Sequence, residues 1–150
     1  MIFIGSDHGG FELKNQIYSY IKNELKKEIT DMGHFSCDSI DYPDIALKVC
    51  KNVIENKGIG ILICGTGIGM SIIANKIKGI RCAVCSEEYS TRMTRKHNDS
   101  NVLALGGRVI GIELAKSIVN TFLNTEFEGG KHKVRIDKIA NYEKTNNSLT

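Results

Sequence analysis

Cys64 closes an apolar run, residues 59–63, and opens a turn with glycines at alternate positions, Gly65, Gly67 and Gly69. A helical segment follows to about residue 76. Glycines let a backbone turn tightly and approach a ligand closely. A helix start aims unpaired N–H groups and the positive end of its dipole at that ligand. Such surroundings favour a thiolate, the form of cysteine that accepts protons. The bland alternative is a small buried apolar side chain, a common fate of free cysteine, beside a glycine motif that is weak by itself. Polar residues follow other apolar runs in the same way: Asp7 and His8 after the first, Ser86 after the fourth, Gly106 to Arg108 after the fifth. A base, a turn of N–H donors, an acid, an imidazole and a guanidinium are thereby expected on one rim.

That expectation depends on the elements between them. Short apolar runs at 1–6, 59–63, 81–85 and 101–105, with a short stretch at 28–31, read as strands. Helical patterns separate them. Leu13, Ile17, Ile21 and Leu25, with Tyr20, make a stripe at four-residue spacing. Pro43 suits a first helical turn, with Ala46, Val49, Cys50, Val53 and Ile54 as the buried face and Gly58 as the stop. Ser86-Glu87-Glu88 supplies a cap and an acidic first turn, and Arg95, Lys96 and His97 close that helix. Leu114, Ala115, Ile118, Val119 and Phe122 mark another, and a polar helical segment runs from about 131 to 146, with 146–150 expected to fray. Repeated β-α units predict an α/β fold: one doubly wound, Rossmann-like domain over 1–150. Its five-stranded parallel sheet carries helices on both faces and a C-terminal helical extension. In such a sheet the ligand lies beyond the C-terminal strand ends.

Bulk properties narrow the classes. A formal charge of +3 gives no footprint for nucleic acid. The longest apolar stretch falls far short of the ~20 residues of a membrane helix. The first residues lack the basic start of a secretory signal, so a cytoplasmic enzyme with reduced thiols is expected. Cys82 and Cys85 have the spacing of a redox or metal pair, but lie in a strand reading, where residues three apart face opposite sides. Core packing is the better reading, and no metal is expected.

Taken as an ordered set, the segments Gly5-Ser6-Asp7-His8-Gly9-Gly10-Phe11, Asp41-Tyr42-Pro43, Ile63 to Gly69, Ala74-Asn75-Lys76, Arg81 to Ser86, Arg95-Lys96-His97-Asn98-Asp99, Asn101 to Val109 and Gly129 to Arg135 span nearly the whole chain. In order and spacing this set closely resembles the type B ribose-5-phosphate isomerases, whose family also holds galactose- and allose-6-phosphate isomerases. The resemblance implies an enzyme of carbohydrate metabolism, in the pentose phosphate pathway. It would interconvert ribose 5-phosphate and ribulose 5-phosphate through a cis-enediolate, without metal or cofactor. It assigns Cys64 as the base, and His97, with Asp7 nearby, as the proton shuttle that opens the sugar ring. Thr66 and the N–H groups of Gly65, Gly67, Ile68 and Gly69 hold the enediolate charge. Asn98 orients substrate oxygens and Tyr42 lines the sugar end. His8, Arg108 and Arg135 bind phosphate, joined by Lys131 where the family commonly has arginine. One branch of the family replaces the cysteine by a glutamate at the position of Met70, which places this chain in the cysteine branch. The resemblance further implies a homodimer or a tetramer with shared sites, in which His97, Asn98 and Arg108 reach the partner's Cys64. His34 and His132 read as surface residues. Two alternatives stay open: a six-carbon sugar phosphate as substrate, and, from other classes, a nucleotide-binding or a thiol redox-sensing domain.

Overall fold

The structure is a computed structural model that describes residues 1–145. Five strands, β1 (Ile2–Ser6), β2 (Ile29–Asp31), β3 (Ile59–Cys64), β4 (Cys82–Val84) and β5 (Val102–Gly106), form one all-parallel sheet in the order β2-β1-β3-β5-β4. Strand side chains alternate between two cores, as a period of two requires. Ile2, Ile4, Ile61, Ile63, Leu103 and Leu105 point to one side. Phe3, Leu62, Cys64 and Val102 point to the other.

Helices cover both faces. On the first, α1 (Phe11–Ser19) and α5 (Ile112–Asn124) bury Leu13, Ile17, Ala115, Ile118, Val119 and Phe122, and α4 (Glu88–Asn98) packs on α5. On the second, α2 (Tyr42–Asn56) and α3 (Ile68–Ala74) bury Ile45, Ala46, Val49, Cys50, Val53, Met70 and Ala74. Full burial of one such aliphatic side chain is worth roughly 1.5–3 kcal/mol. The C-terminal α6 (Lys131–Lys144) lies against α4. None of the helices among the described residues is long and apolar enough to cross a membrane.

The chain leaves β1 towards one face and β3 towards the other, so the ends of these neighbouring strands flank a topological switch point, where open α/β sheets bind ligands. Several boundaries differ from the expectations above. The first stripe does not stay α-helical to Leu25; the helix widens to π over Tyr20–Glu24, and Leu25 N–H reaches back to the Tyr20 carbonyl at 3.0 Å. Ile54 is exposed, because its position has rotated past the sheet-facing side of α2. Helix α2 ends on Lys57 in the left-handed conformation (φ 49°), one residue before Gly58. Glu87, not Ser86, caps α4, its carboxylate accepting from Ser90 N–H at 2.9 Å. Helix α3 stops at Ala74, with tighter turns carrying the chain on through Ile80. The expected fraying over 146–150 lies outside the described residues.

Candidate active site

Close backbone packing builds the rim at the switch point. The Gly107 and Arg108 N–H groups donate to the Cys64 and Gly65 carbonyls at 2.8 and 3.0 Å, locking the turn after β5 onto the turn after β3. Gly67 sits at φ +80°, and a Cβ there would lie 2.9 Å from the Leu105 carbonyl carbon. Both constraints demand glycine.

Cys64 is 5% exposed, and its Sγ accepts the Gly67 N–H at 3.1 Å. That contact strengthens as the sulfur gains charge. The Thr66 hydroxyl accepts from Ile68 N–H at 3.3 Å and keeps its own hydrogen for a substrate oxygen. The Tyr42 ring lies over Gly69, 2.7 Å from where a Cβ would stand. Asp7 is buried and accepts from the Gly9 and Gly10 N–H groups at 2.9 and 3.2 Å, so one carboxylate oxygen holds the turn after β1. The His8 ring is exposed, with Nδ1 accepting from Ile40 N–H at 3.3 Å. The Arg108 guanidinium passes 3.3 Å from the Cβ position of Gly65. The expected rim is therefore present in one chain: Asp7, His8, Tyr42, Gly65, Thr66, Gly67, Ile68, Gly69 and Arg108 around Cys64.

His97, Asn98, Lys131 and Arg135 are elsewhere. Helix α4 runs antiparallel to the strands and ends at Asn98 just before β5 begins. Val102 pairs with Gly60, near the start of β3, whereas Gly106 pairs with Cys64 at its end. From Val102 to Gly106 is roughly 13 Å of extended backbone. His97 and Asn98 thus lie at the far end of the sheet from their own Cys64. Asp7 and His97 of one chain lie apart for the same reason. The expected transfer of Arg108 to a partner's pocket fails too, since its backbone and guanidinium both lie on its own Gly65.

The far end has its own order. His97 stacks on His132, with ring centroids 4.1 Å apart and planes inclined by 13°. The Glu128 Oε2 lies 3.5 Å from His132 Nε2 and 4.0 Å from His97 Nε2, and Oε1 lies 3.3 Å from Lys96 Nζ. His132 is buried rather than at the surface, and burial, then neighbouring His97, holds its imidazole below the ordinary 6.5. Lys96, then His97 and His132, hold the Glu128 carboxyl below the usual range. Lys131 and Arg135 project from the first turns of α6 beside this cluster, both exposed. The ligand atoms of His97, Glu128 and His132 lie within 4.8 Å of one another. Their geometry suits a metal poorly: near-parallel rings cannot both aim a nitrogen lone pair in plane at one ion, and Lys96 already engages the carboxylate.

Sequence reasoning passed over Glu128 and Lys14. Lys14, on the helical stripe of α1, is fully buried, with Nζ 2.8–2.9 Å from both Asp31 oxygens and donating to the His34 carbonyl at 2.8 Å. Asp31 also accepts from Gly33 N–H at 2.9 Å, so this pair anchors the loop whose Ile40 touches His8. Three other cysteines are packing residues: Cys50 and Cys82 sit in or against the α2–α3 core and Cys85 in the opposite one.

Comparison with known proteins places this arrangement. Ribose-5-phosphate isomerase B of Escherichia coli is 49% identical over 148 residues, covering 97% of this chain and 98% of that protein. The solved ribose-5-phosphate isomerase B of Clostridium thermocellum superposes with a TM-score of 0.93 at 51% identity, over 96% of this chain and 97% of that one. That of Mycoplasma genitalium, solved with ribulose 5-phosphate bound, gives a TM-score of 0.91 at 42% identity, over 95% of each chain. With the sequence model of the Ribose/Galactose Isomerase family matching residues 2–139, the chain belongs to that family.

Proposed function

We propose that the chain interconverts ribose 5-phosphate and ribulose 5-phosphate, with Cys64 moving the proton between C2 and C1. One observation carries the reading: the near-buried Cys64 thiol on a donor turn at the switch point of a chain in an isomerase family. The five-carbon substrate is preferred to a six-carbon one because the solved relatives act on ribose 5-phosphate, and one holds its ketose.

The steps follow from the groups present. Ring opening moves a proton from the anomeric hydroxyl to the ring oxygen, and His97 gives the latter its proton. Cys64 then takes the C2 proton, leaving a cis-enediolate. Thr66 and the N–H groups of Gly65 to Gly69 face the negative oxygen, the kind of preorganised donor set that stabilises developing charge most effectively. Return of the proton to C1, with transfer of the O2 hydroxyl proton to O1, gives the ketose. His8 and Arg108 on one side, and Lys131 and Arg135 on the other, neutralise the phosphate. Asn98 orients substrate oxygens and Tyr42 closes the sugar end.

His97, Asn98, Lys131 and Arg135 enter this scheme from a second copy, because one chain holds them a sheet length from its own Cys64. A homodimer with two composite sites, or a tetramer built from such dimers, is the assembly that completes the chemistry. A substrate of central sugar metabolism supports the cytoplasmic assignment.

The test is Cys64→Ala. Turnover of ribose 5-phosphate should fall by about 10³-fold, within the usual worth of a positioned base, and solvent deuterium should no longer enter C1 of ribulose 5-phosphate. Near-normal exchange would reject Cys64 as the base.

A further inference from the structure

We propose that Glu128 and His132 are positioning residues for His97, fixing its ring so that the proton for the sugar ring oxygen is delivered in one orientation. The proposal rests on the reading of His97 as the ring-opening acid. It begins from a contrast in exposure. The His97 side chain is 40% exposed on the last turn of α4, whereas the stacked His132 side chain is 10% exposed. An exposed imidazole normally samples several rotamers. Here one face is covered by the His132 ring and one edge by the Glu128 carboxylate.

The two neighbours do different things. The plane of His132 is set by its burial, by its start-of-helix bond to the Gly129 carbonyl at 3.1 Å, and by Glu128 3.5 Å from its Nε2. Burial, then the neighbouring His97, disfavours charge on His132. Its ring offers His97 a flat face, centroid to centroid at 4.1 Å. Glu128 supplies the charge. Lys131 and Arg135 oppose a positive charge on His132, and the Glu128 carboxylate offsets them from a point 3.5 Å from His132 Nε2 and 4.0 Å from His97 Nε2. Its backbone is held as well, Glu128 N–H donating to the Lys96 carbonyl at 3.1 Å, one residue from His97. Packing alone would not require a carboxylate there, since Glu128 is 45% exposed and buries little apolar surface.

The experiment separates ring chemistry from proton transfer at carbon. Starting from ribulose 5-phosphate in deuterium oxide, exchange at C1 needs only the enediolate, whereas cyclic ribose 5-phosphate also needs ring closure. The readout is the ratio of exchange to net conversion. His97→Asn and Glu128→Gln should each raise this ratio, by about tenfold at the lower end of the worth of general acid catalysis. The double variant should raise it no further than His97→Asn alone. Glu128→Asp, which keeps the charge, should fall between Glu128→Gln and the unaltered chain. An unchanged ratio in Glu128→Gln beside a raised one in His97→Asn would overturn the positioning role. An unchanged ratio in His97→Asn would instead overturn the ring-opening assignment of His97, and the proposal with it. Should Glu128→Gln fold poorly, imidazole nitrogen spectra of Glu128→Asp give a second reading: a shifted His97 signal supports the proposal, and an unshifted one rejects it.

Discussion

Five thiols occupy five environments, and their chemistry should divide accordingly. Burial pushes the Cys50 thiol up to about 12, so at pH 8 only about one molecule in ten thousand carries the thiolate there. Burial raises Cys82 and Cys85 as well. Cys37 is exposed, and Cys64 alone among them receives a described N–H bond, from Gly67. Iodoacetamide at pH 8 should therefore label Cys37 quickly and Cys64 more slowly, leaving Cys50 and Cys82 intact in the folded protein. Ribulose 5-phosphate should protect Cys64 and not Cys37, as peptide mass spectrometry would read; equal labelling of Cys50 and Cys64 would contradict this ranking. The thiol at a strand end before alternate glycines was legible in the sequence because the motif and its chemistry are local. His132 and Glu128 were not legible, because a polar histidine in a polar helix becomes buried only when α6 settles on α4. Lys14 was hidden for the same kind of reason: nothing within one helix announces that a lysine on its apolar stripe meets Asp31 on the neighbouring strand.

Elements were legible where hydrophobic period alone decides them. All five strands fell within one or two residues of their expected ends; the central β1, β3 and β5 are buried on both faces and read as largely apolar runs, whereas the edge strands β2 and β4 are partly exposed. Helix ends were less legible, because caps such as Glu87 and Lys57 are settled by backbone geometry that several neighbouring residues could satisfy. Two element contacts yield predictions. The Lys14–Asp31 pair joins α1 to the end of β2, with the two side chains 1% and 21% exposed. Removing one partner of such a pair strands a buried charge, so Lys14→Ala should cost roughly 3 kcal/mol and lower the melting temperature by several degrees. A loss below about 1 kcal/mol in denaturant titration would refute the buried-pair account. The α4–α6 contact should depend on pH. The His132 imidazole titrates lower in the folded chain than when unfolded, so its share of stability is full above the ordinary 6.5 and is lost as pH falls through the lower folded value. Glu128, also depressed, adds a loss below the ordinary carboxylate value of 4.5. Amide hydrogen exchange in α6 should quicken, relative to the sheet, between pH 7.5 and 5.5. In His132→Phe that quickening should shrink; if it persists unchanged, His132 is not its source.

At the scale of the whole molecule, the proposed reaction divides one chain into two half-sites. The rim around Cys64 lies at the C-terminal ends of the strands, and the His97 cluster lies where the strands begin. The sequence carries both halves as adjacent motifs but not the distance between them, because the direction of α4 relative to β5 exists only once the sheet is assembled. Folding also moved Arg108 from the group expected to cross between subunits to the group that stays with Cys64. A two-fold assembly is self-complementary, so every dimer that unites a Cys64 rim with a partner's His97 cluster does so twice. Mixing Cys64→Ala chains with His97→Asn chains, unfolding them together and refolding, tests this directly. In a heterodimer one site joins the two altered residues and the other joins two intact ones. With random pairing half the dimers are mixed and half of their sites are whole, so roughly a quarter of the unaltered activity should return. Arg108→Ala chains serve as an internal control. Because Arg108 lies with Cys64, these chains should fail to complement Cys64→Ala by more than the leakage of either variant, yet should complement His97→Asn as well as Cys64→Ala does. Should His97→Asn regain no activity with either partner, while native mass spectrometry shows that subunits have exchanged, the site would have to close within a single chain. Helix α4 would then have to leave the position that the register of β5 gives it.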